Sequence, residues 1–343
     1  MSATPRSIRR FLDSVGATIP VVELSHMFLA QWPLDWPGPA ELPAFDAFQG
    51  TLVAGRASLL ESLHLHRPHW RAVAHFHPSA GEAARHVLME PPQGREAARD
   101  AVALALASLA ADGTLWLMGP NNSGLESLAE HFPGAVKVLA LGHAKLYALP
   151  RPEHVSAATQ ERQWELAGVQ LISRPGIFSW EGPDAASLML LQSLTGPLGA
   201  RVLDWGCGNG LLGLSLAHRD PQVQVVMSDD QALAVYCCQA GIQRNGWGDR
   251  CQVLLENGIG MQLADQRFST IVSNPPFHRG IRVDHGPAER FIGRAHDLLL
   301  PGGRLWLVGS THLALGERLR TRFANVEIVA ENSRFVVYRA RRS

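Results

Sequence analysis

Two short segments of the sequence carry residues whose types and spacing could do chemistry together. The first, 204–210, reads D-x-G-x-G-x-G, and the second, 274–277, reads N-P-P-F; each follows an apolar run. A glycine turn between a buried strand and a helix presents backbone N–H groups and a partial positive charge to a ligand. Asn274 offers a side-chain carbonyl to the protons of a planar amine. We interpret the pair as a cofactor cradle and a clamp for such an amine.

The spacing of the glycines indicates which cofactor the turn would bind. A dinucleotide fingerprint, G-x-G-x-x-G/A, requires Gly or Ala at position 211, and this chain has Leu211 there. Gly206, Gly208 and Gly210, with Asp204 before them, instead follow the spacing typical of proteins that bind S-adenosylmethionine (SAM). The sequence therefore favours SAM over a nicotinamide dinucleotide.

Polar side chains at the ends of the next two predicted strands complete the cradle. Asp229 ends the strand after the glycine turn, where it is placed to accept the protons of both ribose hydroxyls, and Asp230 beside it is the alternative. Asn257, after the third strand, is suited to hydrogen-bond the edge of adenine. Such residues can also be no more than helix N-caps. We predict a cofactor role for Asp229 and Asn257.

The N-P-P-F segment has the groups that methylation of an aromatic amine requires. The lone pair of such a nitrogen is delocalised into the ring, and two carbonyls that accept its protons would free that lone pair. The Asn274 side chain and the Pro275 main chain supply these carbonyls, and the prolines fix their direction. Phe277 offers a ring on which a flipped base can stack, and His278 either relays the released proton or only contacts the substrate. We assign Asn274 to both the catalytic and the cofactor-binding residues.

Alternating strands and helices in the second half of the chain would position both segments. Strands are predicted near 202–205, 223–227, 252–255, 270–273, 305–308, 326–330 and 335–339. This alternation predicts a mostly parallel sheet with helices on both faces. Ligands of such sheets bind at the carboxyl ends of the strands, and both segments directly follow strands.

The two halves of the chain repeat one order of features. In each half an X-P-P segment precedes a helical stretch and a turn with glycine, after which Leu-Trp-Leu follows, at 115–117 and at 305–307. Glu90 stands in the first half where Asn274 stands in the second, and no D-x-G-x-G-x-G turn precedes it. We interpret 50–55 as the first strand of the first copy. Chance recurrence of turn motifs is the alternative to a duplication.

Composition and charge limit the classes of protein to consider. The hydrophobic fraction of 46% is that of an ordinary globular protein, and no apolar run is long enough to span a membrane. The four cysteines have no C-x-x-C spacing, and no apolar stretch follows the N-terminal basic residues, so we expect a cytoplasmic protein without a secretory signal. Net charge is zero, but residues 267–343 carry thirteen arginines against six acidic residues, which suits contact with phosphates.

Five histidines between residues 64 and 77 raise the question of a zinc site. These are His64, His66, His69, His75 and His77. No cysteine lies nearby and no H-E-x-x-H spacing occurs, which are the usual signatures of zinc ligands. We predict that the chain binds no metal.

Further motifs give the sequence a family resemblance. The segment 174–184 contains R-P-G-I-F-S and then G-P-D, and it resembles the segment before the glycine turn in ribosomal-RNA guanine-N2 methyltransferases. With N-P-P-F-H at 274–278 and N-S-R-F-V-V at 332–337, the likeness covers the second half of the chain. It is greatest for the small-subunit (16S) enzymes of the C type. The chain departs from that family's pattern at Trp180 and Pro183.

The resemblance implies an enzyme that transfers a methyl group from SAM to the N2 amine of one guanosine in 16S rRNA, either free or within a 30S subunit or its assembly intermediate. In that family Asp204 would face the amino group of the methionine. The first half would help the chain to fold or grip RNA. We expect a monomer that binds no membrane.

The fold class implied is α/β, with two tandem Rossmann-like methyltransferase domains related by duplication. Residues 1–150 would be a degenerate domain without cofactor motifs, 151–165 a linker, and 166–343 the catalytic SAM-dependent domain. A chain of 343 residues is long enough for each domain to bury a core.

Other functions remain open on the sequence. A guanine-N2 methyltransferase of 23S rRNA is nearly as similar. DNA adenine-N6 and protein glutamine-N5 methyltransferases also use N-P-P-[FY], but the former usually carry a target-recognition insert, and the latter a Tyr and a helical partner domain. A non-enzymatic RNA-binding module is disfavoured because the motifs of the second half are intact, and such a module would bind no SAM.

Overall fold

The computed structural model of the chain describes residues 14, 26–29, 51–54, 71–74, 84–141, 144–154, 160–258, 261–275 and 286–343. The chain divides into two compact units, Met1–Gln160 and Glu161–Ser343. Each unit has a seven-stranded sheet of its own. Residues 162–165, which we predicted as part of a linker, instead belong to a strand, because Arg162–Leu166 pairs with the strand that follows it.

The first unit is built on a mixed sheet. Its strands are β1 (His26–Leu29), β2 (Thr51–Ala54), β3 (Arg71–Ala74), β4 (Ala84–Met89), β5 (Leu109–Pro120), β6 (Val136–Leu141) and β7 (Ala144–Pro150). They lie in the order β3-β2-β1-β4-β5-β7-β6. The first five strands in this order are parallel, and β7 is antiparallel to both of its neighbours. Helices α1 (Arg95–Ala107) and α2 (Leu125–Ala129) contribute Val102 and Leu125 to the apolar core of this unit.

The first strand of this unit was predicted in the wrong place. Residues 50–55 contain β2, whereas the strand beside β4 is β1, which occupies the central position of a first strand. β1 is only four residues long and reads H-M-F-L. No glycine turn follows it in the sequence. The pattern that marks a first strand is therefore missing where the strand actually lies.

The second unit has the same sheet order in its own strands. These are β10 (Arg201–Trp205), β11 (Gln224–Asp229), β12 (Cys251–Leu255), β13 (Phe268–Ser273), β14 (Leu299–Ser310), β15 (Asn325–Glu331) and β16 (Phe335–Arg341). Their order is β12-β11-β10-β13-β14-β16-β15, and all seven correspond to predicted strands. A separate hairpin of β8 (Arg162–Leu166) and β9 (Val169–Ser173) precedes the sheet.

Helices cover both faces of this second sheet. They are α3 (Ala185–Ser193), α4 (Leu211–Arg219), α5 (Ala232–Asn245), α6 (Met261–Ala264), α7 (Gly286–Leu298) and α8 (Leu315–Arg320). The central strands are apolar on both faces, as at 225–227, which is typical of parallel strands between helical layers. One core packs around Leu214 and Ile242, and the other around Ile271 and Ile292.

Membrane spans and metal clusters are both absent from the part of the chain that the structure describes. No helix there is long and apolar enough to cross a membrane. Nor do these residues hold a group of three or more His, Cys, Asp or Glu that could bind a metal ion. The five histidines between 64 and 77 lie outside the described residues, so their lack of a metal stays a prediction. The four cysteines are free and buried.

Candidate active site

The carboxyl ends of four neighbouring strands bring the predicted cofactor and clamp residues to one edge of the second sheet. Asp204 near the end of β10 lies opposite Val272 of β13. Asp229 is the last residue of β11 and lies opposite Leu255, the last residue of β12. Asn274 directly follows β13. Because these strands are parallel, the residues that follow them meet at the same edge, where open α/β sheets bind ligands.

The turn between β10 and α4 is fixed by backbone hydrogen bonds to β11. The N–H groups of Gly206 and Cys207 both donate to the carbonyl of Ser228, at 2.8 and 3.0 Å. Gly206 and Gly208 have φ values of +76° and +56°, in the left-handed region that favours glycine. No heavy atom lies within 4 Å of the position that a Cβ would take at either residue. A side chain there would fill this open space, so the two glycines leave room for a ligand beside the backbone.

Asp229 joins the glycine turn to the start of α5. Its Oδ2 accepts the N–H of Gly208 at 3.0 Å, and its Oδ1 accepts the N–H of Gln231 at 2.9 Å. A carboxylate offers about four acceptor sites, so each oxygen can accept more than one hydrogen bond. The position is therefore suited to hold the turn and to accept the proton of a ligand hydroxyl.

Asp204, the first residue of the glycine motif, is fully buried. Its Oδ2 accepts the N–H of Gly213 in α4 at 2.8 Å, whereas its Oδ1 has no hydrogen-bond partner. Burial, and to a smaller degree the negative charge of Asp229, raises the pKa of Asp204 to about 7, against the effect of the Gly213 donor. A buried carboxylate oxygen without a partner is costly. The residue is thus suited to a site that receives a cationic or N–H-donating group.

The segment after β12 contains one buried and one exposed polar residue. Glu256 is buried, and its Oε1 accepts the N–H of Gln262 at 2.8 Å. Its own N–H donates to the carbonyl of Asp229 at 2.9 Å, which ties the ends of β11 and β12 together. Asn257 follows it and is exposed. Asn257 therefore lies at the carboxyl-end edge of the sheet, where such sheets bind ligands, and Glu256 supports the segment that carries it.

The clamp residues follow β13, and Ser273 ties them to the glycine turn. The Ser273 side chain is fully buried, and its hydroxyl donates to the carbonyl of Trp205, the last residue of β10, at 2.6 Å. Asn274 is half-buried and Pro275 is buried. The hydrogen bond fixes the end of β13 against the end of β10. Asn274 consequently lies beside the strand that leads into the cradle.

The start of α3 holds the side-chain amide of Asn274. The Nδ2 group donates to Ser187 Oγ at 3.0 Å and to Asp184 Oδ1 at 3.3 Å. Asp184 is the N-cap of α3, and the same Oδ1 accepts the N–H groups of Ala186 and Ser187 at 3.0 and 3.1 Å. Because a carboxylate can only accept, the amide nitrogen must face Asp184. The Asn274 oxygen is therefore left on the other side of the amide.

Three residues of the site were not assigned a role from sequence. Asp184 and Ser187 were missed, although an Asp before an apolar run is a helix-start signal. Asn209 was missed within the glycine motif itself. It is 6% exposed, its Nδ2 donates to Ser173 Oγ at 2.8 Å, and its Oδ1 accepts the N–H of Leu211 at 3.2 Å. Asn209 thereby fixes the glycine turn to the end of β9.

Phe277 and His278, the predicted substrate contacts, lie outside the described residues. Their assignments as a stacking surface and as a substrate contact stay predictions. The described part of the segment ends at Pro275.

The donor and acceptor groups at this edge fit SAM. Gly206 and Gly208 leave open space beside the backbone, Asp204 presents a buried oxygen without a partner, and Asp229 presents a carboxylate. Together with the order of the sheet, these features define the second unit as a class I SAM-dependent methyltransferase domain.

Comparisons with known proteins place the chain within that class. Residues 168–339 match the family model described as "Methyltransferase small domain". A "Ribosomal RNA small subunit methyltransferase C" of Pseudoalteromonas atlantica is 30% identical over 262 residues, which cover 73% of this chain and 75% of that one. One of the same name from Chromohalobacter salexigens is 37% identical over 250 residues, covering 69% and 72%. The chain belongs to the family of ribosomal RNA small subunit methyltransferases C, and it uses SAM, as predicted.

A solved structure shares the fold over the whole chain. The Thermus thermophilus 16S rRNA N2 G1207 methyltransferase (RsmC), in complex with AdoMet and guanosine, matches with a TM-score of 0.79. It is 23% identical in sequence, and the match covers 100% of this chain and 95% of that one. The predicted α/β fold of the Rossmann-like methyltransferase type is confirmed.

Proposed function

We propose that this chain transfers the methyl group of SAM to the exocyclic N2 amine of one guanosine in 16S rRNA. The observation that carries the proposal is the orientation of Asn274 beside the glycine turn, with its amide nitrogen bound and its amide oxygen left as an acceptor. Family membership supports RNA of the small ribosomal subunit as the substrate. The guanosine in the related T. thermophilus enzyme supports guanine as the base.

Five residues in addition to Asn274 would hold the cofactor, which supplies an electrophilic methyl group on a sulfonium. Gly206 and Gly208 leave room for it beside the backbone. The Asp229 carboxylate accepts the protons of the ribose hydroxyls, and Asn257 hydrogen-bonds the edge of adenine. Asp204 faces the amino group of the methionine, which gives its unpartnered buried oxygen a donor.

Asn274 and Pro275 act on the amine of the substrate. The Asn274 side-chain oxygen and the Pro275 main-chain carbonyl accept hydrogen bonds from its two N–H groups, which frees the nitrogen lone pair and directs it at the methyl group. As the C–N bond forms, the bond from the methyl group to sulfur breaks and a neutral thioether leaves. No strong general base is required, because the methylated nitrogen is acidic and loses its proton to water. Phe277 stacks on the base, and His278 contacts it.

The first unit, in this proposal, keeps the fold of a methyltransferase without its chemistry. Glu90 follows β4 at the position that Asn274 takes after β13. We assign residues 1–150 to this degenerate domain and 166–343 to catalysis; of the predicted linker 151–165, residues 162–165 belong to β8. The free, buried cysteines support a reducing compartment, and we propose that the protein acts as a monomer in the cytoplasm.

Methyl transfer from radiolabelled SAM to a set of substrates tests the proposal. The set contains free 16S rRNA, unmethylated 30S subunits, 50S subunits, duplex DNA and a release factor, and labelled RNA is digested to nucleosides. We expect label as N2-methylguanosine in 16S rRNA, free or within 30S subunits, and at one position only.

Each other outcome would contradict part of the proposal. Label only in 50S subunits would keep the chemistry and replace the substrate with 23S rRNA. Label only in DNA or in the release factor would overturn the substrate class. Absence of label from every substrate, with SAM binding retained, would refute methyl transfer to mature RNA or particles.

A further inference from the structure

We infer that Asp184, the N-cap of α3, and Ser187, in its first turn, are positioning residues that orient Asn274 for methyl transfer. The inference rests on the proposed function, because it concerns how the amine clamp is built. Neither side chain needs to touch the substrate or SAM for this role. Both act through the amide group of Asn274.

The position of the Asp184 oxygen is set by the helix. Asp184 Oδ1 accepts the backbone N–H groups of Ala186 and Ser187, at 3.0 and 3.1 Å, so it cannot move without loss of the helix cap. The same oxygen accepts from Asn274 Nδ2 at 3.3 Å. A residue that follows a strand is thereby held by a rigid helix, which is how a precise site is supported.

The partners of Asn274 select one of its two amide orientations. Rotation of the amide by half a turn would place its oxygen against the Asp184 carboxylate, and two acceptors repel each other. In the observed orientation the two N–H protons have one acceptor each, Asp184 Oδ1 at 3.3 Å and Ser187 Oγ at 3.0 Å. Ser187 is 6% exposed, so water competes little for the second bond. The Asn274 oxygen therefore keeps one direction before the substrate arrives.

The charge of Asp184 also strengthens Asn274 as an acceptor. A hydrogen bond from an amide to a carboxylate is charge-assisted, and it polarises the amide so that the oxygen becomes more negative. Asn274 itself stays neutral. The clamp thereby gains an effective acceptor that is itself uncharged, because the negative charge is on Asp184, which is hydrogen-bonded to the other side of the Asn274 amide.

The same contact accounts for the residue type at position 274. An Asp there would bring a second carboxylate to about the distance at which Asn274 Nδ2 now meets Asp184 Oδ1, 3.3 Å. Two carboxylates so close cannot both be ionised at neutral pH. The amide is the group of the same shape that can donate to Asp184 and still accept on its other side.

Asp184→Asn tests the inference with the helix cap retained. Asn is as good an N-cap as Asp, so the variant loses the charge but keeps the helix start. With 16S rRNA as substrate we expect kcat to fall about tenfold, while SAM affinity and the KM for RNA change less than about twofold. Ser187→Ala removes the second acceptor and should lower kcat about threefold.

Asp220→Asn is the matched control. Asp220 Oδ1 accepts the N–H of Gln222 at 3.0 Å in the turn after α4, so this variant removes the same charge from a similar local hydrogen bond. We expect wild-type kcat from it.

A double variant distinguishes positioning from a structural role. In an Asn274→Ala background Asp184→Asn should cause no further loss of kcat, because its effect passes through Asn274. Independent losses that multiply, or wild-type kcat in both Asp184→Asn and Ser187→Ala, would overturn the inference. Failure of the wild-type protein to methylate any RNA would instead refute the proposed function, so the two failures are distinguishable.

Discussion

The two units of this chain have separate sheets with the same strand order, and within the described residues the groups predicted to form the methyltransferase site lie in the second unit. The likeness extends to irregularities. The strand before the X-P-P segment pairs with the next parallel strand through a register shift, between Ala84 and His86 in the first unit and between Phe268 and Thr270 in the second. The frame of the site is therefore common to both units, and the chemistry depends on the segments that follow the strands.

The spacing of matching elements shows where the units differ. β4 and β13 begin at residues 84 and 268, a spacing of 184, whereas β5 and β14 begin at 109 and 299, a spacing of 190. Six additional residues thus lie between these strands in the second unit. The helices between them, α1 and α7, both have 13 residues. The segment from Asn274 to α7, which contains N-P-P-F, has twelve residues against five from Glu90 to α1, and the link after the helix is one residue shorter.

Substitutions at matching positions of the two units give the largest expected effect. Asn274→Ala removes the amide oxygen and should lower kcat for RNA more than about tenfold, with SAM affinity nearly unchanged. Glu90→Gln changes the matching residue of the first unit and should leave kcat at the wild-type value. Single-turnover methyl transfer and calorimetric SAM titration measure both quantities. An equal loss of kcat in the two variants would contradict the assignment of catalysis to the second unit.

The strand next to the glycine turn gives the second test. β11 ends in Asp229, whereas β2, which takes the same place in the first unit, ends in Ala54. Asp229→Ala should weaken SAM binding about tenfold or more, because hydrogen bonds from the cofactor to a charged acceptor are lost. Asp230→Ala is the control and should bind SAM within about threefold of wild type. If Asp230→Ala shows the larger loss, the ribose contact belongs to that neighbour.

The pH dependence of SAM binding gives an intermediate effect. Burial raises the pKa of Asp204 to about 7, so without the cofactor its carboxyl is protonated below that pH. Because folding raises this pKa, protonation of Asp204 stabilises the unliganded folded state at low pH. This stabilisation is lost as pH rises from about 4 through 7. Cationic SAM favours the ionised carboxylate. SAM affinity, and the rise in Tm that SAM causes, should therefore increase between pH 5.5 and 8, by about tenfold in affinity per pH unit at most.

Asp204→Asn is the control for this titration, since it cannot ionise. The variant should bind SAM more weakly than wild type at pH 8 and should lose the dependence on pH. A dependence that persists in the variant would show that another group, such as a histidine, is titrating.

The smallest effect is expected at two solvent-accessible ion pairs of the first unit. Glu126 accepts from Lys137 at 2.7 Å and from Lys145 at 2.6 Å, and these hydrogen bonds lower the pKa of Glu126 to about 2. All three side chains are in contact with solvent, where ion pairs contribute little. Glu126→Gln should leave methyl transfer unchanged and lower Tm only slightly at pH 7. The difference in Tm should vanish as pH falls from about 4.5 to 2, since the depressed pKa stabilises only the ionised form.

Thermal unfolding monitored by circular dichroism between pH 2 and 7 measures this difference. Loss of methyl transfer in Glu126→Gln would mean that the first unit takes part in the reaction. The contrast between the units would then need revision.

The parts of the structure that were predicted from sequence are those that local patterns encode. The seven strands of the second sheet follow apolar runs such as 225–227, and the cradle follows the spacing of three glycines. The position of β1 was not predictable in this way, because its four residues carry neither a long apolar run nor a turn signal. Local pattern is enough where one strand is buried on both faces and bounded by glycine.

The hydrogen bonds that orient Asn274 could not be predicted from local sequence patterns. Asp184 is 90 residues away in sequence, and Ser187 is 87 away, so only the tertiary fold brings them together. The bond from Ser273 to Trp205 likewise spans 68 residues. The sequence predicts that Asn274 accepts from the amine, whereas the direction of its amide oxygen depends on contacts between distant segments.

The shared strand order of the two sheets has a consequence for how the chain folds during translation. Tandem domains with interchangeable strands tend to exchange them and misassemble while they fold. β4 reads A-R-H-V-L-M and β13, in the same position, reads F-S-T-I-V-S, so the two present side chains of different size to their cores. N-terminal domains generally fold first during translation. We therefore expect the difference between β4 and β13 to disfavour pairing of a nascent strand of the second unit within the sheet of the first.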